Sequence, residues 1–165
     1  MNKRRNSVFE TNSSSSHVIT INGELGTYTH HECYFPVVDY TGKIHIVLDN
    51  CEYGWGYERF NDQFEKLQYA IMMVIETEAV HCKNIDEIYQ LEGFKTIQNI
   101  IPKEILLIDD GMHNENGYLY HAGYIDHQSH EDYSSLADFL KYYGITIEDF
   151  IYNEDIEVEI TNDNQ

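Results

Sequence analysis

The chain is short of basic residues, proline, cysteine and long apolar runs, and each shortage excludes something. Lysine and arginine number 10 against 29 aspartates and glutamates in 165 residues, a net charge of −19. So acidic a surface repels nucleic acid and anionic membrane, so direct binding to either is not expected. It suits solubility, a cationic partner, or occupation of a nucleic-acid-binding groove on another protein; the plainer reading is a solvated acidic surface. The three cysteines, Cys33, Cys51 and Cys82, are odd in number and include no Cys-x-x-Cys, which is no framework for a disulfide-stapled secreted fold. No apolar stretch approaches a membrane span, and Lys3-Arg4-Arg5 is not followed by the apolar run of a signal peptide. These shortages point to a soluble cytoplasmic protein. Neither Gly-x-x-x-x-Gly-Lys-Ser/Thr nor Gly-x-Gly-x-x-Gly occurs, and no cofactor is expected.

What is present is enough for a packed core. Hydrophobic residues make up 42% of the chain, and tyrosine, with 14 copies, suits half-buried surfaces. Alternation marks His17–Ile21, with His17, Ile19 and Ile21 on one face and Val18 and Thr20 on the other, and again Lys43–Asp49. Gly54-Trp55-Gly56-Tyr57 forms an aromatic turn. After it Phe60, Phe64, Leu67, Ile71 and Val74 recur at helical spacing, capped by Asn61 or Asp62, and should pack on a sheet. A second helix is expected over 84–99, weakened by Gly93 and ended by Pro102. Glu104–Asp109 reads as a buried strand and Tyr118–Tyr120 as a short one. Ser134 or Ser135 caps a helix through Tyr143 that Gly144 stops, and Ile145–Tyr152 adds a short helix. Ile156–Ile160 alternates strictly, as a final half-exposed strand does. The order lacks a βαβ rhythm. The expectation is one α+β domain over 1–165, with a mixed or antiparallel sheet packed against two or three helices. Residues 1–12 form a polar arm and 161–165 an acidic tail.

Three places hold residues with chemistry. In the first, Glu10, Asn12, Ser13, Ser14 and Ser15 precede His17. A serine-rich turn can hold an anion on its amides and hydroxyls, Arg4 and Arg5 can add bidentate contacts, and His17 can serve Ser15 as a base. No Gly-x-Ser-x-Gly accompanies them, and the plainer reading is an ordered turn satisfying its own backbone. The second is Asp126-His127-Gln128-Ser129-His130, where an acid beside histidines can orient a base; a polar loop is the alternative. If the two stretches meet, Ser15, His17, Asp126 and His127 form a catalytic group, with Gln128 and Ser129 binding ligand. The third is a zinc set drawn from His30, His31, Glu32, Cys33, Cys51, His81 and Cys82. Their spacing fits no zinc pattern, so no metal is assigned.

The stretch Arg5–His17, with Phe9-Glu10-Thr11-Asn12-Ser13-Ser14-Ser15-Ser16-His17 at its heart, resembles the N-terminus of an uncharacterised family of small bacteriophage and gut-bacterial proteins. Three weaker islands are similar too: Gly54-Trp55-Gly56 with Lys66-Leu67-Gln68-Tyr69, Ile125-Asp126-His127-Gln128-Ser129, and Asn162-Asp163-Asn164. The resemblance implies a phage or mobile-element setting and one intact domain, and ties the opening turn to the Asp126–Ser129 loop. It implies no mechanism. Two functions follow. One is an acidic regulator or inhibitor that docks on a basic, nucleic-acid-handling host or defence protein, in which the carboxylates from Glu148 onward should line one exposed face. The other is a hydrolase or transferase acting on a phosphorylated or nucleotide-like ligand, in which His17 should lie within hydrogen-bond reach of Asp126 or His127.

Overall fold

Asp62 starts the longest helix. Its carboxylate accepts the amides of Phe64 at 2.8 Å and Glu65 at 3.1 Å, and the helix that follows, α1 (Gln63–Glu78), carries seven successive buried residues from Tyr69 to Ile75. A helix buried all round is a central helix, not an amphipathic one laid on a sheet. The expected stripe is thus wrong at its margins: Phe60 belongs to a strand and Phe64 is only half-buried, while Tyr69, Met72 and Met73 are fully buried. The computed structural model describes residues 15–26, 35, 40–54, 56–79, 81–109, 117, 124–125 and 135–162.

Around α1, among the described residues, are four further α-helices and seven strands. In chain order these are β1 (Ser15–Ile21), β2 (Ile44–Val47), β3 (Glu52–Tyr53), β4 (Glu58–Phe60), α1, α2 (Ile85–Ile88), α3 (Glu92–Ile100), β5 (Ile105–Ile108), β6 (Tyr124–Ile125), α4 (Leu136–Tyr143), α5 (Ile147–Tyr152) and β7 (Ile156–Asn162). The strands make three small sheets. One is antiparallel, ordered β1-β7-β4; the others are the parallel pairs β2-β5 and β3-β6. Helices α3, α4 and α5 pack on α1, and one hydrophobic core joins all the layers, a single α+β domain.

Several sequence expectations change. The helix expected over 84–99 is two: α2 ends at Ile88, and Leu91 restarts the chain as the N-cap of α3. The break is tertiary in origin, because the Glu78 carboxylate of α1 accepts the Gly93 amide at 3.1 Å in the first turn of α3. The strand expected over 43–49 shortens to β2, followed by a 3-10 turn over Leu48–Asn50. At the other end, β7 runs past Ile160 into the expected tail, so that Thr161 faces Ser16 and Asn162 faces Ser15. Ser15 and Ser16 are therefore strand residues, not turn. The local signals hold elsewhere: Ser135 caps α4, Gly144 ends it at φ +73°, and Thr146 and Asp149 form a reciprocal capping box on α5. Tyr118–Tyr120 lies outside the described residues. No helix among the described residues is long and apolar enough to cross a membrane.

Candidate functional site

The alternation in β1 and β7 sorts the sheet into two faces. His17, Ile19, Ile156, Val158, Ile160 and Phe60 are buried on the inner one. Val18, Thr20, Glu157, Glu159 and Arg59 lie on the outer one, half-exposed or exposed. His17 thus enters the core, with only 6% of its surface exposed.

The histidine is held from two helices. Its Nδ1 lies 2.9 Å from the hydroxyl of Tyr69 on α1, with the rings 5.9 Å apart, and its carbonyl accepts the Tyr143 hydroxyl of α4 at 3.3 Å. Tyr69 is itself the hub of an aromatic cluster, with Tyr53, Phe60 and Phe150 at centroid distances of 5.1, 5.7 and 6.0 Å. Tyr53 pairs in register with Ile125, the residue before Asp126. Burial, with the acidic groups Cys51, Glu65 and Glu58 nearby, pushes the Tyr53 phenol well above its ordinary range, so it stays protonated. Burial also raises the Glu58 carboxyl, partly offset by the Gly54 amide that it accepts at 3.4 Å. Glu58 faces Ile160 in the ladder, which faces His17 in turn, so a carboxyl and an imidazole share the inner face one strand apart.

A second polar feature is Lys66. It is completely buried, and its ammonium donates to the carbonyls of Asn153 at 2.7 Å and Ile156 at 3.3 Å. The ladder explains why. Asn22 donates to the Asp155 carbonyl at 2.8 Å, so β7 bonds β1 through Asp155, Glu157 and Glu159 and faces β4 with the residues between. β4 ends at Phe60, opposite Val158. The next carbonyl, that of Ile156, has no strand residue before it, and Lys66 takes that place. Burial lowers its pKa to about 8, against the pull of Glu154 and Asp62.

The described residues of the four islands are linked by contacts. Ser15 pairs with Asn162, His17 bonds Tyr69, Gly54 bonds Glu58 beside Tyr53, and Ile125 lies against Tyr53. Sequence reasoning missed Tyr53, Glu58 and the partnership of Tyr69 with His17; Tyr69 was visible only as one letter of the Lys-Leu-x-Tyr island. Of the residues singled out from the sequence, Ser15 is in β1 and His17 is in the core. Arg4, Arg5, Glu10, Asn12, Ser13, Ser14, Asp126, His127, Gln128 and Ser129 lie outside the described residues, as do His30, His31, Glu32 and Cys33. Cys51 and Cys82 are buried free thiols and His81 is exposed; among the described residues no three metal-ligating side chains gather. The Cys51 thiol donates to the Val47 carbonyl at 3.4 Å, and burial next to Glu87 raises the Cys82 thiol, so Cys82 is no ready thiolate.

No family model, no curated protein and no solved structure matches the chain.

The carboxylates from Glu148 onward lie in different surroundings. Asp149 is withdrawn into its capping box and Glu148 is half-buried. Glu154 and Asp155 are exposed at the turn into β7, and Glu157 and Glu159 stand two apart on the outer face of the central strand. Arg59 pairs with Glu157 at 2.8 Å, and no ion pair among the described residues includes Glu159.

Proposed function

We propose that the protein is an acidic interaction module of a phage or mobile element, which docks the outer face of its three-stranded sheet on a basic, nucleic-acid-handling protein in the bacterial cytoplasm. The observation that carries this reading is the placing of Glu157 and Glu159 two apart on the outer face of the central strand, half-exposed, with the exposed Glu154 and Asp155 at the turn before them. Arg59 pairs with Glu157 on this face, and an opposing cationic surface adds affinity and fast association through the other carboxylates.

The test is a comparison of two variants of equal net charge. Glu154→Gln/Glu157→Gln/Glu159→Gln alters the proposed face; Glu52→Gln/Asp86→Asn/Asp138→Asn alters the surface elsewhere. A partner captured from bacterial lysate by the tagged chain should be lost from the first variant and kept by the second, and its binding should weaken steeply with salt. Equal binding by both variants, or binding indifferent to salt, would remove the reading.

The contacts among the described residues of the four islands favour a second reading, a ligand site at the Ser15–Asn162 end of the sheet. A hydrolytic version has His17 against it, because that imidazole is buried and its Nδ1 already meets a hydroxyl. A His17→Gln variant that keeps its fold and loses turnover of a phosphorylated substrate would restore it.

A further inference from the structure

Between α3 and β5 lies a groove of about 290 Å³, away from the acidic sheet face. Its walls include Tyr89, Phe94, Lys95, Gln98, Asn99 and Ile105. The Tyr89 and Phe94 rings meet edge to face, 5.1 Å apart, and make an aromatic wall.

The hydrogen bonding along this groove is incomplete in a specific way. In the parallel ladder Ile44 donates to the Glu104 carbonyl at 2.9 Å, so β5 bonds β2 through Glu104, Leu106 and Ile108. The backbone groups of Ile105 and Leu107 therefore point to the opposite side, where side chains meet the amides. Ile105 donates to Gln98 Oε1 at 2.9 Å and Leu107 donates to the Tyr89 hydroxyl oxygen at 2.8 Å. Two groups remain. The Tyr89 oxygen is an acceptor here, so its own proton is left to donate, and no acceptor for it exists among the described residues. Burial raises the Tyr89 pKa, which keeps that proton in place. The Ile105 carbonyl shares the outward side with its amide and has no donor among the described residues. On one edge of an extended strand the carbonyl of one residue neighbours the amide two residues on. The donor and the acceptor are thus adjacent.

The charges at the rim are paired, unlike those of the chain as a whole. Lys43 bonds Glu104 at 2.7 Å and Lys95 bonds Glu92 at 3.1 Å. We propose that this groove binds a small, flat, uncharged ligand with a hydrogen-bond acceptor and donor side by side, the edge of a lactam or a nucleobase, which meets the Tyr89 hydroxyl and the Ile105 carbonyl.

The probe is 2-pyridone, titrated into the full chain and followed by amide NMR. Saturable shifts at Ile105 and Leu107 are expected, and N-methyl-2-pyridone, which lacks the donor, should bind about tenfold more weakly. Tyr89→Phe should weaken 2-pyridone to the same degree. That change also removes the acceptor of the Leu107 amide, so Asn99→Trp, on the exposed side of α3, serves as the variant that blocks the groove while leaving the bonds intact; it should abolish the shifts. Absence of saturable shifts at millimolar 2-pyridone, equal binding of the N-methyl compound, or undiminished binding by Asn99→Trp each overturns the proposal.

Discussion

Replacing Lys66 by methionine keeps the volume of the side chain and removes its charge and its donors. Two effects then oppose each other. The Ile156 carbonyl loses its donor in a buried setting, at a cost of about 1–3 kcal/mol, whereas the Asn153 carbonyl keeps the Ile156 amide at 3.0 Å. Against this, the ammonium no longer has to be buried. Lowering an amine from 10.5 to about 8 corresponds to roughly 3 kcal/mol of burial cost while the group is charged in both states. Near pH 7 the two nearly balance, and the net change should be small. The pH dependence is the sharper measurement. The folded pKa is below the unfolded one, so between pH 8 and 10.5 the unfolded chain holds more protons, and stability conferred by the native lysine rises with pH across that window. Urea unfolding of the native chain and Lys66→Met, followed by circular dichroism at several pH values, gives the difference, in which the many tyrosines common to both cancel. That difference should move toward the native lysine by up to roughly 3 kcal/mol between pH 8 and 10.5. A difference that stays flat, or runs the other way, would show that Lys66 titrates as a solvated amine and that the reading of its burial is wrong.

Two further outcomes follow from packing. Gly93→Ala brings a Cβ against Glu78 Oε1 and to 2.7 Å from Val74 Cγ2, where Glu78 also caps the Gly93 amide; the helix-propensity gain of about 1 kcal/mol should be outweighed, with a net loss of about 1–2 kcal/mol seen as a lower Tm. Tyr69→Phe keeps the aromatic cluster but takes the hydroxyl from His17 Nδ1, and should cost about 1–3 kcal/mol in urea unfolding, whereas the exposed Tyr142→Phe should change stability little.

Short-range features were legible in the sequence. Strict alternation located β7 and most of β1, and Gly144 with the pairs Ser134 or Ser135 and Asn61 or Asp62 marked helix ends, because capping needs only residues three or four apart; the structure takes Ser135 and Asp62. What escaped depends on distant partners. The split between α2 and α3 follows from Glu78 reaching across from α1, and β3 and β6 are two residues long, too short for any period to show. The candidate site was legible in part. His17 stood out as a polar residue beside a serine run, but as a prospective base at a turn; its place in the core comes from the facing of β1 and from Tyr69, fifty-two residues on. Lys66 stood in the sequence only as the first letter of the Lys-Leu-x-Tyr island, and the early end of β4 gives it a buried role.

The order β1-β7-β4 has a consequence for how the molecule comes to be. Its middle strand is the last described element, so the first and fourth strands have no sheet to join until it arrives. During synthesis β1 waits for β7, and closing that long loop should be a slow, entropy-limited step of folding. Shortening the chain before Ile156 should therefore do more than trim an end. It should leave α1 without its sheet and Lys66 without the carbonyls that hold it, a collapsed chain unable to finish.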